Sequence, residues 1–201
     1  MRIVVKVGTS TLAYPTGRLN IQRMERLCKT LSDLKNAGHE IILVSSGAIA
    51  MGFGKLNLSE RPKDMPGKQA SAAVGQCELM HIYDKMFLEY GINVAQILLT
   101  RENIVDTEQR QNIHNTFTEL TKIGVVPIIN ENDSVATAEL KHIENFGDND
   151  TLSAVVARMC EADLLVIFSD IDGLYDSDPR KNPPVSYTHL RAHETLAKLV
   201  C

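Results

Sequence analysis

The sequence predicts an α/β chain built on a doubly wound, mainly parallel sheet. Short β-branched runs recur along its length, and longer helical patterns separate them. The runs are continuously apolar rather than alternating, as strands buried on both faces are. At 201 residues, with 44% hydrophobic and 23% charged, the chain has matter for one packed domain and is not disordered. Lys plus Arg number 21 against 25 for Asp plus Glu, a net charge of −4. That balance gives no bulk attraction to nucleic acid or to an anionic membrane. No apolar run approaches the roughly 20 residues that cross a bilayer. MRIVVKVGTS enters a strand-like run at once, leaving no room for a signal peptide, so a cytoplasmic protein is expected. The four cysteines lack any C-x-x-C spacing, which points to neither a zinc site nor a disulfide framework.

Taken in order, the strands are Ile3 to Val7 (IVVKV), Ile41 to Val44 (IILV), Ile92 to Leu98 (INVAQIL, the weakest), Val125 to Ile129 (VVPII) and Leu164 to Phe168 (LLVIF). The first helix starts after Asn20, an N-cap type, and carries Ile21, Met24, Leu27, Leu31 and Leu34 on one stripe, with Gly38 placed to end it. Lys68 to Tyr90, Gln109 to Ile123 and Thr151 to Ala162 complete the set, the first two ending at Gly91 and Gly124. This alternation reads as repeated βαβ units. The polar stretch Asn132 to Asn149, with a strand-like Val135 to Ile143, breaks it and is long for an α/β connection.

Five motifs follow strands, where an open α/β sheet binds its ligands. In KVGTS, Lys6 interrupts an apolar run and is expected at the sheet's edge, facing a ligand or a carboxylate; a lysine snorkelling from an ordinary turn is the bland alternative. Gly8 allows close approach of the backbone, and exposed N–H groups there suit phosphate oxygens. No GxxxxGK occurs, so this is not a Walker A loop. SSGAIAMG, Ser45 to Gly52, sets a Ser-Gly pair before an alanine-rich helix, which suits an anion or simple capping by Ser46. NEND (Asn130 to Asp133) and FGDND (Phe146 to Asp150) crowd Asp133, Asp148, Asn149 and Asp150 near strand ends, and N-capping explains only part of that. SDIDGLY begins with Ser169 and Asp170 after the last major strand and ends in an ordinary Asp-Gly turn pair.

KVGTS, VSSGAIAMG, NENDSVATAEL with FGDNDTLSA, and SDIDGLYDSDPR together resemble the amino acid kinase family, in particular its members that phosphorylate the side-chain carboxylate of L-glutamate with ATP. The resemblance runs from about Ile3 to Pro184. It implies the family's sheet, a place at the committed step toward proline, and ATP with Mg2+. It further implies that Lys6 stabilises the transferring phosphoryl group and that Asp150 orients the family's catalytic lysines. Ser46, Asp133 and Asn149 match glutamate-binding positions, while Gly8, Thr9, Ser169 and Asp170 match nucleotide-binding ones. The chemistry is consistent with this, because a carboxylate of pKa about 4.3 is already a nucleophile at neutral pH and needs no general base. The obstacle is its repulsion from the phosphates, which cations and oriented N–H donors offset. Proline as feedback inhibitor at the glutamate site, a regulatory loop at Ser134 to Asn145, and a homo-oligomer when complete are implied as well.

The family's glycine-rich nucleotide loop and second catalytic lysine do not appear, so residues 1–184 read as an incomplete kinase domain, truncated at its C-terminal side and inactive alone. Val185 to Cys201, VSYTHLRAHETLAKLVC, resembles a translation of the adapter DNA used in transposase-based sequencing libraries. On that reading it is not native, and His189, His193 and Glu194 are not metal ligands. Two alternatives stand beside the kinase: a non-catalytic amino-acid sensor, and the kinase half of a fused pyrroline-carboxylate synthase.

Overall fold

The computed structural model describes residues 1–135 and 149–168, together with the backbone of two short strands at 174–175 and 186–187. Strand β1 (Arg2–Val7) leads into a single-turn helix α1 (Thr9–Leu12) and then α2 (Ile21–Asn36). Strand β2 (Glu40–Ser45) precedes α3 (Ala48–Lys55) and the long α4 (Met65–Leu88). Next come β3 (Val94–Leu99), α5 (Arg101–Val105), α6 (Thr107–Lys122), β4 (Val126–Glu131), α7 (Asn149–Met159) and β5 (Leu164–Phe168). These elements form one compact unit, Met1–Phe168. A second unit, Ser169–Cys201, contains β6 (Leu174–Tyr175) paired antiparallel with β7 (Ser186–Tyr187).

The sheet runs β3-β4-β2-β1-β5, and every pairing is parallel. Steps from β1 to β2 and from β2 to β3 move one way and carry α2 and α4 on one face. Steps from β3 to β4 and from β4 to β5 move back and carry α6 and α7 on the other. A single crossover hand requires that division. The pleat sorts the side chains accordingly. Ile3, Val5, Ile41, Leu43 and Ile128 pack with Met24, Leu31, Leu79, Tyr83 and Phe87 on the first face. Val4, Ile42, Val44 and Ile129 pack with Phe117, Leu152 and Val156 on the second.

Element starts follow local chemistry. The Asn20 side chain accepts from the Arg23 N–H to cap α2, and Gly38 takes φ +93° beyond its end. Helix α4 begins at Met65, three residues before the expected Lys68, because Asp64 caps it by accepting from the Gly67 N–H and Pro66 suits a first turn. Asp106 caps α6 in the same way through the Gln109 N–H. Lys6 faces a carboxylate as expected, from near the carboxyl end of an interior strand rather than from an edge strand. Its strand lies inside the sheet, between β2 and β5, and the lysine is 5% exposed with Val44 and Ile167 beside it in register. Of the candidate positions, Asp148, Ser169, Asp170, most of the Ser134 to Asn145 loop and the residues of 185–201 other than Ser186 and Tyr187 lie outside the described residues. Among the described residues no helix is long and apolar enough to cross a membrane.

Candidate active site

A cleft of about 400 Å³ opens where β1, β2 and β4 end, as the parallel sheet requires of a ligand site. Lys6 lies beside it on the penultimate residue of β1. A buried ammonium among valines and isoleucines demands a counter-charge, and Asp150 supplies it, with Nζ to Oδ1 at 2.5 Å. Gly8 keeps a normal negative φ (−84°), so conformational freedom is not its use. A Cβ built at position 8 would sit 3.6 Å from Lys6 Nζ, and glycine leaves that space beside the ammonium open. Thr9, the first residue of α1, lines the cleft next to it.

The loop after β2 forms the next wall. Gly47 takes φ +100°, a left-handed conformation that favours glycine, and turns the chain sharply into α3. No side chain caps α3, so its first N–H groups face the cleft unengaged by a cap. Ser46 is therefore not a cap; its Oγ instead receives the Asn149 Nδ2 at 2.5 Å. Asn149 opens α7 and also donates to the Ser45 carbonyl at 3.0 Å and to Asn130 Oδ1 at 3.3 Å. One side chain thus ties together the ends of β2, β4 and α7.

The third wall follows β4. Asp133 lines the cleft, and burial raises its pKa above the ordinary aspartate range. Glu131 lines it too, its pKa raised by burial first and then by the Asp133 charge. The two carboxyl groups thus share one wall of the cleft, and burial is the first cause of the shift at each. Arg61, from the segment leading into α4, and Lys68, in the first turn of α4, bring positive charge to the same cleft. The cleft so assembled carries both acidic and basic side chains and lies beside the Lys6–Asp150 pair and the N-terminus of α3.

The structure brings together Lys6, Gly8, Thr9, Ser46, Asp133, Asn149 and Asp150, all of the described candidates, and leaves Ser169 and Asp170 outside its description. Sequence reasoning missed Glu131, Arg61 and Lys68. Glu131 sits within NEND and was legible there as a third acid. Arg61 stands in an ordinary polar connection and Lys68 at the start of a helix, and only the packing of α3 on α4 carries them to the cleft.

A parallel sheet with a cleft and a buried lysine–aspartate pair at its carboxyl edge is an α/β architecture of the ligand-binding kind. The chain belongs to the amino acid kinase family, whose model matches residues 1–198. Within that family it is similar to glutamate 5-kinases. It is 55% identical over 181 residues to the "Glutamate 5-kinase" of Clostridium perfringens and 56% identical over 181 residues to that of Enterococcus faecalis; each match covers 90% of this chain and 67% of the relative. The enzyme of the same name from Caldanaerobacter subterraneus is 57% identical over 180 residues, covering 90% of this chain and 47% of the relative. The chain thus spans about two thirds of the length of the shorter relatives and about half of the longer one.

Proposed function

We propose that this chain carries the acceptor site and reactive lysine of a glutamate 5-kinase, which transfers the γ-phosphoryl group of ATP to the side-chain carboxylate of L-glutamate, the first step toward proline. The observation that carries the reading is the buried Lys6–Asp150 pair beside a cleft lined by Asp133, Asn149 and Ser46. A sensor that only bound an amino acid would gain nothing from burying an ion pair beside its ligand, and the matched relatives are named for the kinase activity alone.

In this reading a γ-carboxylate oxygen of glutamate attacks the γ-phosphorus, the bond to the β,γ-bridging oxygen breaks, and ADP leaves with that electron pair. Lys6 faces the phosphoryl oxygens as charge spreads over them, and Asp150 holds the ammonium in place. The space that Gly8 leaves open suits a phosphoryl oxygen against Lys6, with Thr9 alongside; a nucleotide role for Ser169 and Asp170 rests on the family resemblance alone. The first N–H groups of α3 offset the repulsion between carboxylate and phosphates. Asp133, with Glu131, holds the substrate ammonium. Magnesium, when bound, neutralises phosphate charge. The ion is implied by phosphoryl transfer itself rather than by a ligand set in this chain. Inhibition by proline at the glutamate site and homo-oligomeric assembly belong to the same reading, on the family resemblance.

The test is a chimera in which residues 1–168 replace the matching part of the Clostridium perfringens relative, assayed for ATP-dependent γ-glutamyl hydroxamate. The expected result is activity that Lys6→Met lowers by about 10²- to 10³-fold, the loss of one transition-state donor. Full activity in Lys6→Met would sink the kinase reading in favour of the sensor. We further propose that residues 185–201 are the adapter translation. Relatives match 180 to 182 of the 201 residues, which supports this, whereas the family model extends to residue 198, which does not. Sequencing intact genomic DNA across codon 184 decides it.

A further inference from the structure

A chain of side-chain amides, Gln76 to Asn130 to Asn149, runs from α4 beneath the cleft to the first turn of α7, and backbone groups fix its polarity at both ends. The Glu131 N–H can only donate, and Asn130 Oδ1 accepts from it at 2.9 Å. Asn130 Nδ2 must then turn toward Gln76, whose Oε1 accepts at 2.9 Å. At the far end the Ser45 carbonyl can only accept, and it takes Asn149 Nδ2. Asn149 Nδ2 is also the atom that meets Ser46 Oγ and Asn130 Oδ1. Among the described residues Asn149 Oδ1 has no partner, and the residue lines the cleft, so an acceptor is what it presents there.

Gln76 bears a cost for this order. It is 7% exposed, and its Nε2 is buried without a partner among the described residues. An unmade buried donor is unfavourable, yet turning the amide over would set Nε2 against the donating Nδ2 of Asn130. We propose that Gln76 is a positioning residue: by accepting from Asn130 Nδ2 it locks the amide chain in the order that the backbone groups favour, so that Asn149 turns its carbonyl oxygen toward the ammonium of the substrate. Asn149 therefore joins Asp133 as an acceptor for the ammonium, which leaves the Ser46 hydroxyl proton free for a substrate carboxylate. The inference rests on the glutamate reading of the cleft.

The experiment compares binding of L-glutamate and of glutarate, which has both carboxylates and no ammonium, by calorimetry on the 201-residue chain. Gln76→Met removes the acceptor at nearly constant length, and Gln76→Glu keeps it. The preference for L-glutamate over glutarate should fall about tenfold in Gln76→Met, the scale of one hydrogen bond to a charged group. It should stay within about threefold of the parent in Gln76→Glu. A ratio is insensitive to the fraction of protein folded. An unchanged ratio in Gln76→Met, weakening of both ligands in step, or equal loss in Gln76→Glu overturns the proposal while leaving the glutamate reading intact. Failure of the unsubstituted chain to bind L-glutamate removes both.

Discussion

The two walls that flank the ends of β1 and β2 are held by opposite means. On one side α3 and α4 meet through glycines. A Cβ on Gly75 would lie 1.7 Å from the Ala48 carbonyl oxygen, and one on Gly52 would lie 1.8 Å from that of Ser71. Nothing charged is buried there; backbone rests on backbone, and the Lys55–Glu78 ion pair between the same helices stays at the surface. On the other side α7 is held by the buried charge pair of Lys6 and Asp150 and by the Asn149 amide. The wall that shapes the acceptor pocket is thus fixed by steric contact, which is insensitive to pH and salt. The wall formed by α7 is held to Lys6 by charge, which is sensitive to pH and salt.

Breaking the steric wall should cost most. Gly75→Ala forces a backbone shift at the first turn of α3 and should destabilise the chain by about 3 kcal/mol or more, read as a lower urea midpoint. Its effect should be the same at low and high salt. Breaking the charged wall should cost less. Asp150→Asn keeps the volume but leaves the Lys6 ammonium uncompensated, and with Asp150 about a quarter exposed the loss should be about 2 kcal/mol. Equal losses from the two substitutions would erase the distinction between the walls.

The smallest effect sharpens the comparison through pH. Asp133 and Glu131 have pKa values raised in the folded state, above 3.8 and 4.5 respectively. The folded chain therefore holds their protons more tightly than the unfolded one. Their contribution favours folding below the unfolded values and is lost as pH rises through the raised ones. Asp133→Asn should consequently gain stability relative to the parent at neutral pH and show no gain below pH about 3.8, the unfolded aspartate value. Glutamate affinity should run the other way, falling as pH drops through the raised values, because only the ionised acids hold an ammonium. Stability curves from pH 3 to 8 check the first and calorimetry across the same range the second.

Much of this architecture was readable from local pattern, for definite reasons. A strand buried on both faces has to be apolar throughout, so IVVKV, IILV, VVPII and LLVIF declared themselves. Leu164 to Phe168 even matched residue for residue. Val94–Leu99 was harder, since Gln96 interrupts it and Ile92, outside the strand, is buried as well. Helix α1 has only four residues and no apolar period to find. The start of α4 was misplaced because alanine and glycine, which let it lie close on α3, erase the amphipathic stripe that marks an ordinary helix. In the site, Lys6 and Asp150 stood out as charges beside apolar runs. Arg61, Lys68 and Gln76 did not. Their meaning comes from which helix lies against which, and no spacing along the chain records that.

Neighbours in sequence at the first turn of α7, Asn149 and Asp150 project about 100° apart around the helix. One reaches Ser46 in the loop after β2, and the other reaches the lysine. Any rotation or slide of α7 moves both at once, so the helix end works as a gear between recognition and chemistry. On the proposed reading, a compound that seats badly against Asn149 would also shift the carboxylate paired with Lys6, and discrimination against poor substrates would be expressed in turnover as well as in affinity.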